Sequence, residues 1–151
     1  SVVVYAMLDG ANADYNGFPQ GANGVSSDDG RSTPTNVASG DQLTIANSIF
    51  VDQPVTAMVY VCAPIASPLD FTITGLTNAS TSTRAAVAAA IADVLFEQGA
   101  PLSNGSIVEL SAIDSEIASI AGTAGFVVTA PTTNPRNTLG NLPVLGVITY
   151  S

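Results

Sequence analysis

The sequence predicts an α+β fold in two small lobes, residues 1–66 and 67–151. Three observations point there. Apolar, β-branched runs recur at 2–8, 55–63 and 144–150, as buried strands do. Two further stretches, 84–98 and 111–120, space their apolar residues at helical intervals. The resulting order is strand, long loop, helix and strand in the first lobe, then strand, helix, helix, strand and strand in the second. Strands and helices mix without strict alternation, which argues against a doubly wound parallel sheet.

Residues 2–8 read as a continuous buried strand. From Asp9 to Ser39 the composition changes to Asn16-Gly17, Asn23-Gly24, Pro19, Pro34 and the acidic pair Asp28-Asp29, which marks turns. A loop of about 30 residues in a compact domain is usually functional or disordered. Leu43, Ala46, Ile49 and Phe50 then fall on one helical face, with Asp41 as the expected N-cap. After Pro54, residues 55–63 read as a strand buried on both faces.

Pro64 and Pro68 mark a break, which predicts a hinge between the lobes. Residues 69–74 alternate, with Leu69, Phe71 and Ile73 on one side. The run Asn78-Ala79-Ser80-Thr81-Ser82-Thr83 offers capping residues to a helix over 84–98, whose buried stripe is Val87, Ile91, Val94 and Leu95. Gly99 and Pro101 stop it, and 102–106 is a loop. Ser111 with Asp114 resembles a capping box that opens a helix with Ile113, Ile117 and Ile120 on its inner face, ended by Gly122. Strands follow at 126–129 and 144–150.

Charge excludes several functions. Twelve acidic residues face three basic ones (Arg31, Arg84, Arg136), with no Lys or His, for a net charge of −9. A phosphate backbone or an anionic membrane surface is repelled, so neither nucleic acid nor membrane is an expected partner. Without His there is no Ser-His-Asp or Cys-His relay and no His-ligated metal; without Lys there is no Schiff base and no P-loop. The apolar run 85–96 is too short to span a bilayer, and no signal peptide is evident at the N-terminus. Ser1 directly before a strand suggests a trimmed fragment of a longer chain.

Individual motifs offer little chemistry. Asn12-Ala13-Asp14-Tyr15-Asn16-Gly17 resembles the start of a calcium loop, but position one is Asn and the twelfth position is Asn23 where a bidentate Glu belongs, so an Asx-and-glycine turn is expected. Asp28-Asp29 is a candidate for a cation or a partner's Arg, against solvated loop charge as the plainer reading. Cys62, the one cysteine, reads as a buried small hydrophobe with no base to activate it. Asn78-Ala79-Ser80 and Asn104-Gly105-Ser106 match a glycosylation sequon, as chance produces in a chain this rich in Asn, Ser and Thr. Nothing singles out two of the carboxylates as a hydrolytic pair. No catalytic, cofactor-binding or metal-ligating residue is assigned, and no cofactor is expected.

Charged residues make up only 10% of the chain and mean hydropathy is +0.39. A surface so sparing of charge suits a subunit covered by other chains. Five segments then resemble the C-terminal part of the baseplate J-like proteins of contractile phage tails and related injection systems. They are Gln53-Pro-Val-Thr-Ala-Met-Val-Tyr-Val-Cys-Ala-Pro64, Leu69-Asp-Phe-Thr-Ile73, the helix over 83–95, Ser111 to Gly122 continued by Gly125-Phe-Val-Val-Thr-Ala-Pro131, and Gly140-Asn-Leu-Pro-Val-Leu-Gly-Val-Ile-Thr-Tyr150. Gln53 stands where the family pattern has Arg, which puts in doubt any ion pair that relatives make there.

The resemblance implies a structural, non-enzymatic role as a wedge component that assembles with other baseplate and tail proteins and with copies of itself. It implies location in the virion's tail baseplate or a prophage-derived tail particle, and in host cytoplasm during assembly. It also implies a C-terminal fragment whose N-terminal portion is missing. The competing readings are a binding module that uses residues 9–39 to engage a carbohydrate or cell-surface ligand, and a carboxylate hydrolase.

Overall fold

The computed structural model describes residues 1–101 and 107–151, so the 102–106 loop and the Asn104 sequon lie outside the described residues. The chain divides into two compact units, Ser1–Pro64 and Ile65–Ser151. The fold is α+β; the described residues form three α-helices and two small sheets in the element order read from the sequence.

In the first unit, β1 (Val2–Tyr5) pairs in parallel with β2 (Val59–Cys62). Both strands are shorter than the apolar runs that predicted them. Pro64 follows closely on β2, so β1 loses its partner; Ala6 N–H still reaches Cys62 O, and Leu8 N–H already bonds Gly17 O. At the other end, Pro54 starts a turn closed by Ala57 N–H, which leaves Val55 95% exposed rather than in a strand. The expected two-sided burial also fails. Val59 and Val61 are buried while Tyr60 and Cys62 are half-buried, and Val2 and Val3 are exposed. A two-stranded sheet has too little area to cover both faces.

Part of the long 9–39 segment fills that deficit, while most of its residues stay exposed. Gly24 exchanges backbone hydrogen bonds with Val61 on the free side of β2, and Val25 bridges Val37. Val25 and Ala38 are buried core residues. Gly24 must be glycine, because a Cβ there would lie 2.3 Å from Asn36 O.

Helix α1 (Gly40–Phe50) is rotated from the expected face: Gln42 and Ala46 are buried, while Leu43, Ile49 and Phe50 are half-buried. Gln42 is drawn inward by the loop, donating to Gly21 O and Asn23 Oδ1. Asp41 is not the N-cap. Ser39 holds that position, and Asp41 Oδ2 instead accepts from Gln20 N–H and Asn12 Nδ2, both at 2.7 Å.

The second unit is a three-stranded sheet in the order β4-β3-β5, with β3 (Ile65–Thr74) central, β5 (Asn141–Tyr150) parallel to it and β4 (Val127–Ala130) antiparallel. Pro68 lies inside β3, not in a break. Because β4 pairs only with Thr72–Thr74, the segment around Pro68 is open on that side, and a residue without N–H is tolerated there. The expected proline pair is therefore split: Pro64 ends the first unit and Pro68 belongs to β3.

Helix α2 (Thr81–Gln98) starts earlier than its apolar stripe suggested, because Ser80 Oγ accepts from Thr83 N–H as the N-cap. Helix α3 (Leu110–Ala118) has no capping box. Ser111 is already helical, and the helix start is tied from outside, with Asn134 Oδ1 accepting from Leu110 N–H and Gln98 Oε1 from Glu109 N–H.

One core holds this unit. Val87, Ile91, Val94 and Leu95 of α2 and Ile113 and Ile117 of α3 pack with Phe71 and Ile73 of β3, joined by the half-buried Leu145, Ile148 and Tyr150 of β5. Full burial of each such side chain contributes about 1.5–3 kcal/mol.

Candidate assembly surfaces

The core side chains of the second unit take alternate positions along β3, β4 and β5, so the other face of the sheet carries Asp70, Thr72, Thr74, Val127, Val147 and Thr149. Val127 is 55% and Val147 68% exposed. Asp70 is the single ionisable group among these six, and it is held in place: its Oδ1 accepts from Val147 N–H at 2.8 Å. That bond closes a bulge. Between the pairs Leu69↔Leu145 and Phe71↔Ile148, Asp70 alone faces both Gly146 and Val147. A Cβ on Gly146 would fall 2.1 Å from Asp70 Oδ1. The bulge was not read from the sequence; its signal is the Asp of the Leu69-Asp-Phe segment and the Gly of Leu145-Gly146, meeting across strands.

A groove of about 450 Å³ runs beside β4. One wall is α3, through Ser111, Asp114, Ser115 and Ala118, which are one helical face at i, i+3, i+4 and i+7. The other is Phe126, Val127 and Val128. Ser111 and Asp114 therefore line this groove and do not form the expected capping box.

In the first unit Asp28 is exposed, whereas Asp29 is only 4% exposed. Asp29 is thus neither solvated loop charge nor open to a partner's Arg, because it pairs with Arg31 two residues on. Arg31 Nε and Nη2 donate to Asp29 Oδ1 and Oδ2 at 2.8 Å each, and Arg31 N–H to Oδ1 at 2.9 Å. These side-chain and backbone bonds hold the Asp29 carboxyl far below the usual carboxylate range. Gln53 Nε2 donates to Asp29 Oδ2 and Ala57 O, and Arg31 Nη2 reaches the same carbonyl. Gln53 therefore reaches Asp29 as a neutral donor while Arg31 supplies the charge. A shallow cavity of about 370 Å³ opens beside them, walled by Phe50, Pro54 and Val55.

The remaining candidates resolve simply. Asn12 uses its amide to donate to Phe18 O and Asp41, and Asn16 is left-handed at φ 54°, so the calcium-like motif is an Asx-and-glycine turn. Among the described residues no group of three or more His, Cys, Asp or Glu is placed to hold a metal. Cys62 is half-buried rather than buried, and desolvation pushes its thiol up. Ten of the twelve acids are exposed, and the two drawn inward, Asp29 and Asp41, are hydrogen-bonded in place. Asp41 lies below the usual carboxylate range through its bonds from Gln20 and Asn12. Arg84 binds Leu76 O and Thr77 O, and its guanidinium lies 4.5 Å from the Tyr150 ring centroid, fastening the end of β5 to the start of α2. Among the described residues no helix is long and apolar enough to cross a membrane.

Neither a curated protein nor a solved structure matches the chain. A family model does. Residues 68–151, more than half of the chain, match the baseplate J-like protein C-terminal domain. That span begins inside β3 and takes in the bulge, both helices, the groove and β5, and by it the chain belongs to the baseplate J-like family of phage-tail structural proteins.

Proposed function

We propose that this protein is a non-catalytic wedge component of a contractile-tail baseplate, held by contacts with other baseplate and tail proteins and with copies of itself. The observation that carries this reading is the family match over nearly all of the second unit. The physical character of the surface supports it. A chain with 10% charged residues has an open sheet face of Thr and Val, which suits burial against protein better than permanent exposure to water. In this reading the lobes spanning 1–66 and 67–151 each carry their own contacts. The protein resides in the tail baseplate of a virion or a prophage-derived particle and passes through host cytoplasm during assembly. Neither nucleic acid nor membrane is a partner.

Mass spectrometry of purified tail particles tests this. Peptides of the chain at a fixed, low copy number comparable to other baseplate proteins are the expected result. Absence from intact particles, with abundant free protein in the lysate, overturns it and puts a soluble binding module built on residues 9–39 in its place.

A further inference from the structure

Strand β4 is an edge strand. It pairs with β3 on one side, and among the described residues no strand pairs with its other side. An unpaired edge is a template for another strand, and proteins blunt such edges with charge, proline or a covering element. Here the strand itself, Val127-Val-Thr-Ala130, carries neither charge nor proline. Beside it lies the open groove, whose opposite wall is the Ser111, Ser115 and Ala118 face of α3. Small side chains on that wall leave room for a backbone. The arrangement of edge strand, groove and helix is the one in which an extended peptide adds to a sheet.

Charge selects the occupant. Among the described residues that line the groove, Asp114 is the one ionisable group. Helix α3 adds Glu116, Glu109 precedes it, and the helix has no basic residue to offset them. An incoming strand that carries a Lys or Arg complements this acidic wall. The strands of a second copy of this chain do not supply such a residue, because β1 to β5 contain no Lys, Arg or His.

We infer that the groove between α3 and β4 takes an extended segment of a different protein, which adds to β4 as a further strand and sets a Lys or Arg against Asp114. The inference rests on the baseplate reading and specifies one of its contacts.

Hydrogen exchange, comparing the free full chain with native tail particles, tests the added strand. Amides of 126–130 are expected to exchange about tenfold more slowly in the particle. Particles assembled with Asp114→Lys or with Ser115→Trp, which fills the groove, are expected to retain about tenfold less of the chain. Both substitutions are at exposed positions, and the exchange comparison on the unaltered chain stands even where a variant fails to fold. Unchanged exchange at 126–130 in particles that contain the chain overturns the inference and leaves the baseplate reading intact. Wild-type incorporation of Asp114→Lys overturns the basic occupant. A photo-crosslinker placed at Ala118 that joins two copies of this chain overturns the different-protein occupant. Absence of the chain from particles overturns the baseplate reading itself.

Discussion

The two units of this chain are held together by different physics. The second has a continuous apolar core, with Phe71, Ile73, Val87, Ile91, Ile113 and Ile117 each no more than 1% exposed. The first has a two-stranded sheet and a short helix, and completes itself with polar bonds. Gln42 bonds Gly21 and Asn23, Asp41 bonds Gln20 and Asn12, and Asp29 bonds Arg31 and Gln53. Apolar burial is non-directional and tolerates repacking. A buried polar network loses the desolvation of every group left unpaired. Each unit therefore has its own mode of failure.

The largest effect is expected where the apolar core is emptied. Phe71→Ala should destabilise the second unit by about 3–5 kcal/mol. Denaturant titration followed by hydrogen exchange should show the loss confined to residues 65–151; equal loss in both units would erase the distinction. Gly146→Ala is next. With its Cβ set against Asp70, it should cost about 1–3 kcal/mol, typical of overpacking, and a melting curve that matches wild type would show that the bulge yields freely. Ser80→Ala removes the α2 cap and should cost about 1 kcal/mol, read as faster exchange in the first turn of that helix.

The smallest effect near neutrality belongs to the first unit, and acid is needed to see it. Asp29 is depressed in the folded state, so its contribution is fully present above the unfolded carboxyl pKa of about 3.9 and is lost as pH falls through the lower folded value. Melting of the first unit should be flat in pH from 7 to about 5 and should fall below about 4. Asp29→Asn should flatten that acid slope, and an unaltered slope would move the network's weight to other groups.

Much of the fold was legible because it is local. The α2 stripe at Val87, Ile91, Val94 and Leu95 is buried as its spacing required, and Ser80 caps where a run of capping residues stands. The strand face of Leu69, Phe71 and Ile73 points to the core. The misreadings came where distant segments decide. Asp41 had the right residue type for a cap, but the helix begins one residue before it, Ser39 takes the cap position, and Asn12 and Gln20 bond its carboxylate. Ser111 and Asp114 had capping-box spacing, but Asn134 and Gln98 already hold the helix start. Pro68 looked like a breaker because nothing local reveals that β4 stops short of it.

The sequence by itself determined the element order, the α+β class, the poverty of positive charge and the family resemblance, since composition, periodicity and contiguous motifs are properties of the chain alone. Only the tertiary structure decided that residues 9–39 complete a core, that Asp29 closes on Arg31 and Gln53, that Asp70 meets Gly146 across the sheet, and that α3 leaves a groove beside a free edge. Each of these depends on which remote groups come within hydrogen-bond reach or fail to. Local propensity carries no record of that, because the partners are selected by packing and not by their distance along the chain.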